Sequence, residues 1–230
     1  TQENDSVPMK VMRLRYAGTC PCGAEVPAGA NAGWDTDART VVCATCLDRL
    51  IVQDLLEGKL THILALERRQ QYDEALACLD AVLEANRYRD HDGWLANSIA
   101  LHRSSILLDA GRYAEAEQAY AEWAQIGFID LWRRQLHALG LAKTLEALGR
   151  DREAVPVLEN VLGHEEREDL PLALTVLTEL VRISNKVALP VDSKWLSVAE
   201  AVAKHHGVEM PTEGSAARAI LALEETLRSR

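Results

Sequence analysis

The sequence has no run of apolar residues near the roughly 18 to 20 that a membrane-spanning helix requires. It opens with no charged, apolar, small-residue segment of the kind that directs export, so a cytoplasmic protein is expected. An excess of positive charge is missing too: 25 lysines and arginines face 35 aspartates and glutamates, a formal charge of −10. Residues 1–49 carry five basic and six acidic side chains, and the remainder, with 20 and 29, holds most of the imbalance. An acidic body repels phosphate backbones and makes a poor nucleic-acid platform. Catalytic signatures are absent. His164-Glu165-Glu166 lacks the second histidine of a metalloprotease helix, the glycines are isolated, and no serine sits in a G-x-S-x-G elbow. What is there, 48% hydrophobic and 26% charged residues over 230 positions, is enough for an ordinary globular core in one or two domains.

Cysteine is scarce but not scattered. Four of the five cysteines form two tight pairs, Cys20/Cys22 and Cys43/Cys46, in the stretch TCPCGAEVPAGANAGWDTDARTVVCATC. Two such knuckles suit a tetrahedral Zn2+ held by four thiolates. Disulfides crossing between the pairs and free thiols are the alternatives; disulfides need an oxidising compartment. Gly23 lets the backbone turn after Cys22, and Pro27-Ala28-Gly29 reads as a turn. Asn31–Trp34, then Asp35-Thr36-Asp37, then Thr40-Val41-Val42 reads as strand, turn, strand. So small a piece has little core, and a structural metal would supply most of its folding free energy. The segment RYAGTCPCGAEVPAGANAGWDTDARTVVCATC resembles the small zinc ribbons attached to many bacterial proteins, some of the nuclease-related-domain family among them. The resemblance implies four ligands, Cys20, Cys22, Cys43 and Cys46, and a metal-stabilised module. It does not imply nucleic-acid cleavage, because no nuclease carboxylate-lysine core follows. Arg13 and Arg15 beside Tyr16 offer a small stacking surface for bases; the plainer reading is solvated arginines around a packed tyrosine.

From Leu47 on, glycine and proline thin out and apolar residues recur every three or four positions, as in Leu47, Leu50, Ile51 and Leu55. Three segments align: RRQQYDEALACLDAVL, DAGRYAEAEQAYAEW and ALGRDREAVPVLENVL. Gln70, Gly111 and Gly149 fall at equivalent turns, Ala75, Ala116 and Ala154 five residues later, and Leu66, Leu107 and Leu145 four before. Each unit reads as helix, turn, helix, with a small alanine where the helices cross closely. The pattern resembles the tetratricopeptide repeat, most clearly in Gly-Arg-Tyr-Ala-Glu-Ala at 111–116, with helices about a turn longer than that family's 34-residue period. Gln70 stands in place of a turn glycine and Asp151 in place of a tyrosine. Weaker helix pairs continue to the C-terminus, punctuated by Pro190 and Pro211.

The expected fold is mainly α: an antiparallel helix-hairpin solenoid with a small N-terminal β zinc ribbon. Residues 1–11 read as a disordered lead, 12–47 as the ribbon and 48–230 as the helical repeat domain. The resemblance implies a groove lined by first-helix residues. Counting back from the turns places Leu60, Leu64, Ser98, Leu101, Ser105, Asp109, Leu139, Lys143 and Glu146 near it, with core packing the alternative for the leucines. Recognition of a C-terminal carboxylate does not carry over, since Leu60, Leu101 and Leu139 stand at sites where clamping variants use Lys, Asn and Arg. His62, His102 and His137 lie in first helices and are expected to be ordinary packed or exposed histidines. Cys78 and the tryptophans at 94, 123, 132 and 195 are expected to fill gaps between helices. The expectation is therefore a non-enzymatic module that binds a protein or peptide and no membrane, with self-association left open. A regulator whose ribbon contacts nucleic acid is the first alternative, and a hydrolase with an unrecognised site the second.

Overall fold

The computed structural model describes residues 9–90, 93–128, 130–163, 170–210 and 214–229. His91, His164, Pro211 and residues 1–8 of the expected lead lie outside them. The chain forms two compact units, residues 1–96 and 97–230.

The first unit opens with five short strands: β1 (Met9–Arg13), β2 (Gly18–Thr19), β3 (Glu25–Val26), β4 (Asn31–Asp35) and β5 (Thr40–Val42). They form an antiparallel sheet in the order β1-β4-β5 and a β2-β3 ribbon. Residues 9–11, expected to belong to the lead, are part of β1, where Met9 pairs with Asp35 and Val11 with Gly33. Asp35 closes the β4–β5 turn by accepting hydrogen bonds from the N–H groups of Asp37 and Ala38 at 2.9 and 2.8 Å. Leu14, Cys20, Val26, Ala32 and Val42 make the small core beneath, with Leu47 and Leu50 packed against it. Those two leucines come from α1 (Ala44–Arg68), which begins inside the second cysteine pair. α1 then turns back as α2 (Tyr72–Asn86). Val52, Leu56, Ile63 and Leu66 are buried on α1, and Ala75, Leu76, Leu79 and Val82 on α2. The three- and four-residue spacing of both sets is that of a single helical face.

Beyond it run α3 (Trp94–Asp109), α4 (Tyr113–Ile126), α5 (Leu131–Ala147), α6 (Asp151–Leu162), α7 (Leu170–Lys186), α8 (Leu196–His205) and α9 (Ala216–Arg228). From α4 on, consecutive helices pack as pairs, and α9 packs on both α7 and α8. The hairpin turns follow one chemistry. Gln70, Gly111 and Gly149 all adopt positive φ, +59°, +71° and +74°. In each, the N–H of the next residue donates to the carbonyl five residues back, that of Leu66, Leu107 or Leu145, at 2.8–2.9 Å. This is the Schellman closure of a helix C-terminus. Ala75, Ala116 and Ala154, five residues on, have no exposed surface, as close helix crossings require. A fourth turn of the same kind lies at Ala188 (φ +57°), where the Leu189 N–H donates to the Ser184 carbonyl at 2.9 Å. The sequence alignment did not reach it.

Candidate metal centre and helical groove

Two different local structures bring the four cysteines together. In the first, the N–H of Gly23 donates to the Cys20 carbonyl at 2.8 Å and the N–H of Cys20 to the Ala24 carbonyl at 2.9 Å, with Gly23 at φ +88°. The chain reverses tightly and holds Cys20 and Cys22 on one side. In the second, Cys43 is the N-cap of α1 and Cys46 stands in its first turn. The cap carbonyl accepts from Leu47 N–H at 2.9 Å. That turn has no acidic residue, so the positive end of the helix dipole meets only the sulfurs.

The four Sγ atoms lie within 4.8 Å of one another, and Cys22 and Cys43 are 3.8 Å apart. A tetrahedral thiolate site with metal–sulfur bonds of about 2.3 Å has edges of about 3.8 Å, so the cluster fits a metal ion without rearrangement of the backbone. None of the five cysteines is in a disulfide. Electrostatics points the same way. Burial raises the Cys20 thiol, but hydrogen bonds from the backbone of Cys22 and Cys43 outweigh it and bring the group down to about 7. Burial and the neighbouring sulfurs push Cys43 and Cys46 upward. One thiolate forms readily and then opposes the next; a divalent cation at the centre removes that opposition. The arrangement is compatible with a structural zinc site.

Four residues before Cys20, Tyr16 is not packed: 83% of it is exposed. Arg15 is also exposed, while Arg13 donates from Nε to the Gly29 carbonyl at 3.0 Å.

In the second unit a groove of about 650 Å³ opens between α5, α7 and α9. Leu139 and Lys143 lie on its wall, facing Leu174, Glu179 and Arg182 of α7 and Leu221, Leu227 and Arg228 of α9. Leu139 is buried in the core as well as lining the groove, whereas Lys143 is exposed. Glu146, one turn on, is held by Arg182 and by Lys186 at 3.0 Å. Of the other groove candidates, Ser98 is buried 3.5 Å from Arg133, Leu101 is partly buried, and Ser105 and Asp109 are exposed. In the first unit Leu60 is partly buried and Leu64 exposed. α7 and α9 had no residue in the expected groove, because the weak helix pattern after residue 163 gave no turn from which to count back.

The three first-helix histidines are packed or surface groups. His137 is buried, with its Nε2 2.8 Å from the Tyr120 carbonyl and its ring against Tyr120, Trp123 and Phe128. His62 is exposed and His102 partly buried. Trp123 and Trp195 are buried, as expected of gap fillers, but Trp132 is exposed. Cys78 is partly buried.

No family model matches the chain, and no curated protein or solved structure matches it. The likenesses to tetratricopeptide repeats and to nuclease-associated ribbons therefore rest on the motifs and on the helix-pair packing described above.

Proposed function

We propose that this is a non-enzymatic, cytoplasmic protein-interaction module: a ribbon stabilised by structural zinc, followed by tetratricopeptide-like helical hairpins that bind a segment of another protein. Zinc is the ion that four thiolates at tetrahedral spacing hold best without redox chemistry or an open coordination position. No helix among the described residues is long and apolar enough to cross a membrane. The observation that carries the interaction reading is the groove between α5, α7 and α9, an open channel in a stack of helix pairs where four leucines are framed by charged side chains. Because the chain carries −10, a strongly acidic partner is disfavoured.

Two measurements test the parts separately. Elemental analysis should find one zinc per chain, lost in Cys43→Ser; a metal-free protein with intact thiols speaks against zinc. Cross-linking in lysate of the source cells, read by mass spectrometry, should concentrate partner cross-links on Lys143, the lysine on the groove wall, rather than spread them over all lysines. An even spread removes the groove from the reading.

The exposure of Tyr16 next to Arg15 favours one second reading, a ribbon that stacks on single-stranded nucleic acid. A low-salt gel shift with the whole protein decides it: binding must appear and must weaken in Tyr16→Ala.

A further inference from the structure

We infer that the groove between α5, α7 and α9 receives a short peptide segment whose apolar side chains fill the channel and whose internal side-chain carboxylate pairs with Lys143. This rests on the proposed reading of the helical body as a binder of protein segments and adds the chemistry of the occupant.

Charge gives the first argument. The groove wall has three permanent cations, Lys143, Arg182 and Arg228, and two of them are already matched by carboxylates. The cations are not equivalent. Arg182 is engaged by Glu146 and Glu179, and Arg228 by Glu224 at 2.6 Å. Lys143 makes no ion pair or hydrogen bond with any described residue. It stands four residues, one helical turn, after Leu139, so the two line the channel from the same face of α5. Leu221, on the facing helix, is 41% exposed, an apolar surface with no cover among the described residues. An occupant carrying leucine-like side chains and one carboxylate satisfies both features. A run of acidic residues does not, because Glu179 and Glu224 line the same wall.

Geometry then selects a side-chain carboxylate over a chain terminus. Apart from His206 at the end of α8, the lining residues come from the bodies of three helices, where backbone N–H groups are used in the helices' own ladders. Capture of a terminal carboxylate uses clusters of free backbone N–H groups. Here one flexible ammonium is on offer, which suits a single carboxylate on a side chain.

The test is fluorescence anisotropy of the full-length protein with labelled eight-residue peptides, acetylated and amidated, in which two leucines flank a central aspartate, asparagine or lysine. A fourth peptide has the asparagine centre and a free C-terminus. The aspartate peptide should bind about five- to tenfold tighter than the lysine peptide, the size of a partly exposed charge reversal. Lys143→Glu should invert that order, Lys143→Arg should keep it, and Leu221→Asp should weaken all four peptides. Lys143 and Leu221 are exposed, and an unchanged thermal melt verifies the fold of each variant. The inference is overturned by a preference for aspartate that survives in Lys143→Glu, by equal binding of all four peptides, by tightest binding of the free-terminus peptide, or by no binding of the aspartate peptide. The cross-linking experiment separates this from the broader reading: a partner captured equally well by Lys143→Glu protein leaves the module and removes this occupant.

Discussion

Gly140, in the middle of α5, has no room for a side chain. A Cβ built there would lie 1.9 Å from the hydroxyl and 2.4 Å from the ring of Tyr120 on α4. The contact brings the two helices close enough for His137, three residues earlier, to reach the Tyr120 carbonyl. Burial holds the His137 imidazole below its ordinary range, so the ring is neutral and packs as an aromatic beside Trp123 and Phe128. Gly140→Ala should destabilise the protein by about 1–3 kcal/mol, the usual cost of overpacking a tight core. Urea denaturation measures it, and a loss below about half a kilocalorie would mean that α4 and α5 separate easily. Glu146 is a different kind of residue, governed by charge. Hydrogen bonds from Arg182, opposed by burial and helped by Lys186, hold its carboxyl at about 2. A depressed carboxyl stabilises the fold above its unfolded value of about 4.3, and that stabilisation disappears as pH falls through the folded value. Arg182 and Lys186 are nearly half exposed, so water screens the pair and its worth is discounted to about 1 kcal/mol. Glu146→Gln should therefore be less stable than the parent at pH 7 and converge with it as pH falls through and below about 2, in paired denaturant titrations. A gap that stays constant with pH would assign the loss to packing.

At the scale of elements, the hairpin turns decide what could be read from the sequence. A left-handed residue that closes a helix leaves a chemical mark when it is glycine, and Gly111 and Gly149 gave the repeat its register. Gln70 was placed by alignment to them, and Ala188 was missed because alanine is among the last residues expected at positive φ. Its turn nevertheless has the same pair of hydrogen bonds, to Ser184 and Asn185, 39 residues after Gly149. Ala188→Gly should accordingly stabilise the protein by about 0.5–1 kcal/mol, relief of left-handed strain less the extra unfolded-chain entropy of glycine. Gly149→Ala should cost a similar amount. Thermal and urea unfolding of the two variants test the pair, and shifts of the same sign would contradict a shared turn geometry. The cysteine cluster was legible for the same reason as the glycine turns, since cysteine pairs announce themselves. Its junction was not. C-x2-C reads as a knuckle, and nothing in four residues reveals that the second pair is also the first turn of a 25-residue helix.

That junction matters for the whole molecule, because it joins two sources of stability. Among the described residues the β region buries five in its core, and one of them is Cys20 of the sulfur cluster. On the proposed reading, so small a core needs a bound ion to hold its fold. The helices draw on a far larger apolar core, including Val176, Leu177, Leu180, Val181 and Ile183 on α7, none of which depends on the cysteines. Removing the metal with a chelator should unfold residues 9–43 and fray the start of α1 back toward Val52, the first residue buried on its long face. The rest of the helical content should survive. Circular dichroism should record a small loss of helix, hydrogen exchange should rise steeply over the strands and over Ala44–Leu50, and heating should show two transitions where the loaded protein shows them closer together. Exchange across α7 should be unchanged. Collapse of the entire helical signal on chelation would mean that the ribbon nucleates the body, and no change anywhere would mean that the sulfur cluster holds itself together by packing alone.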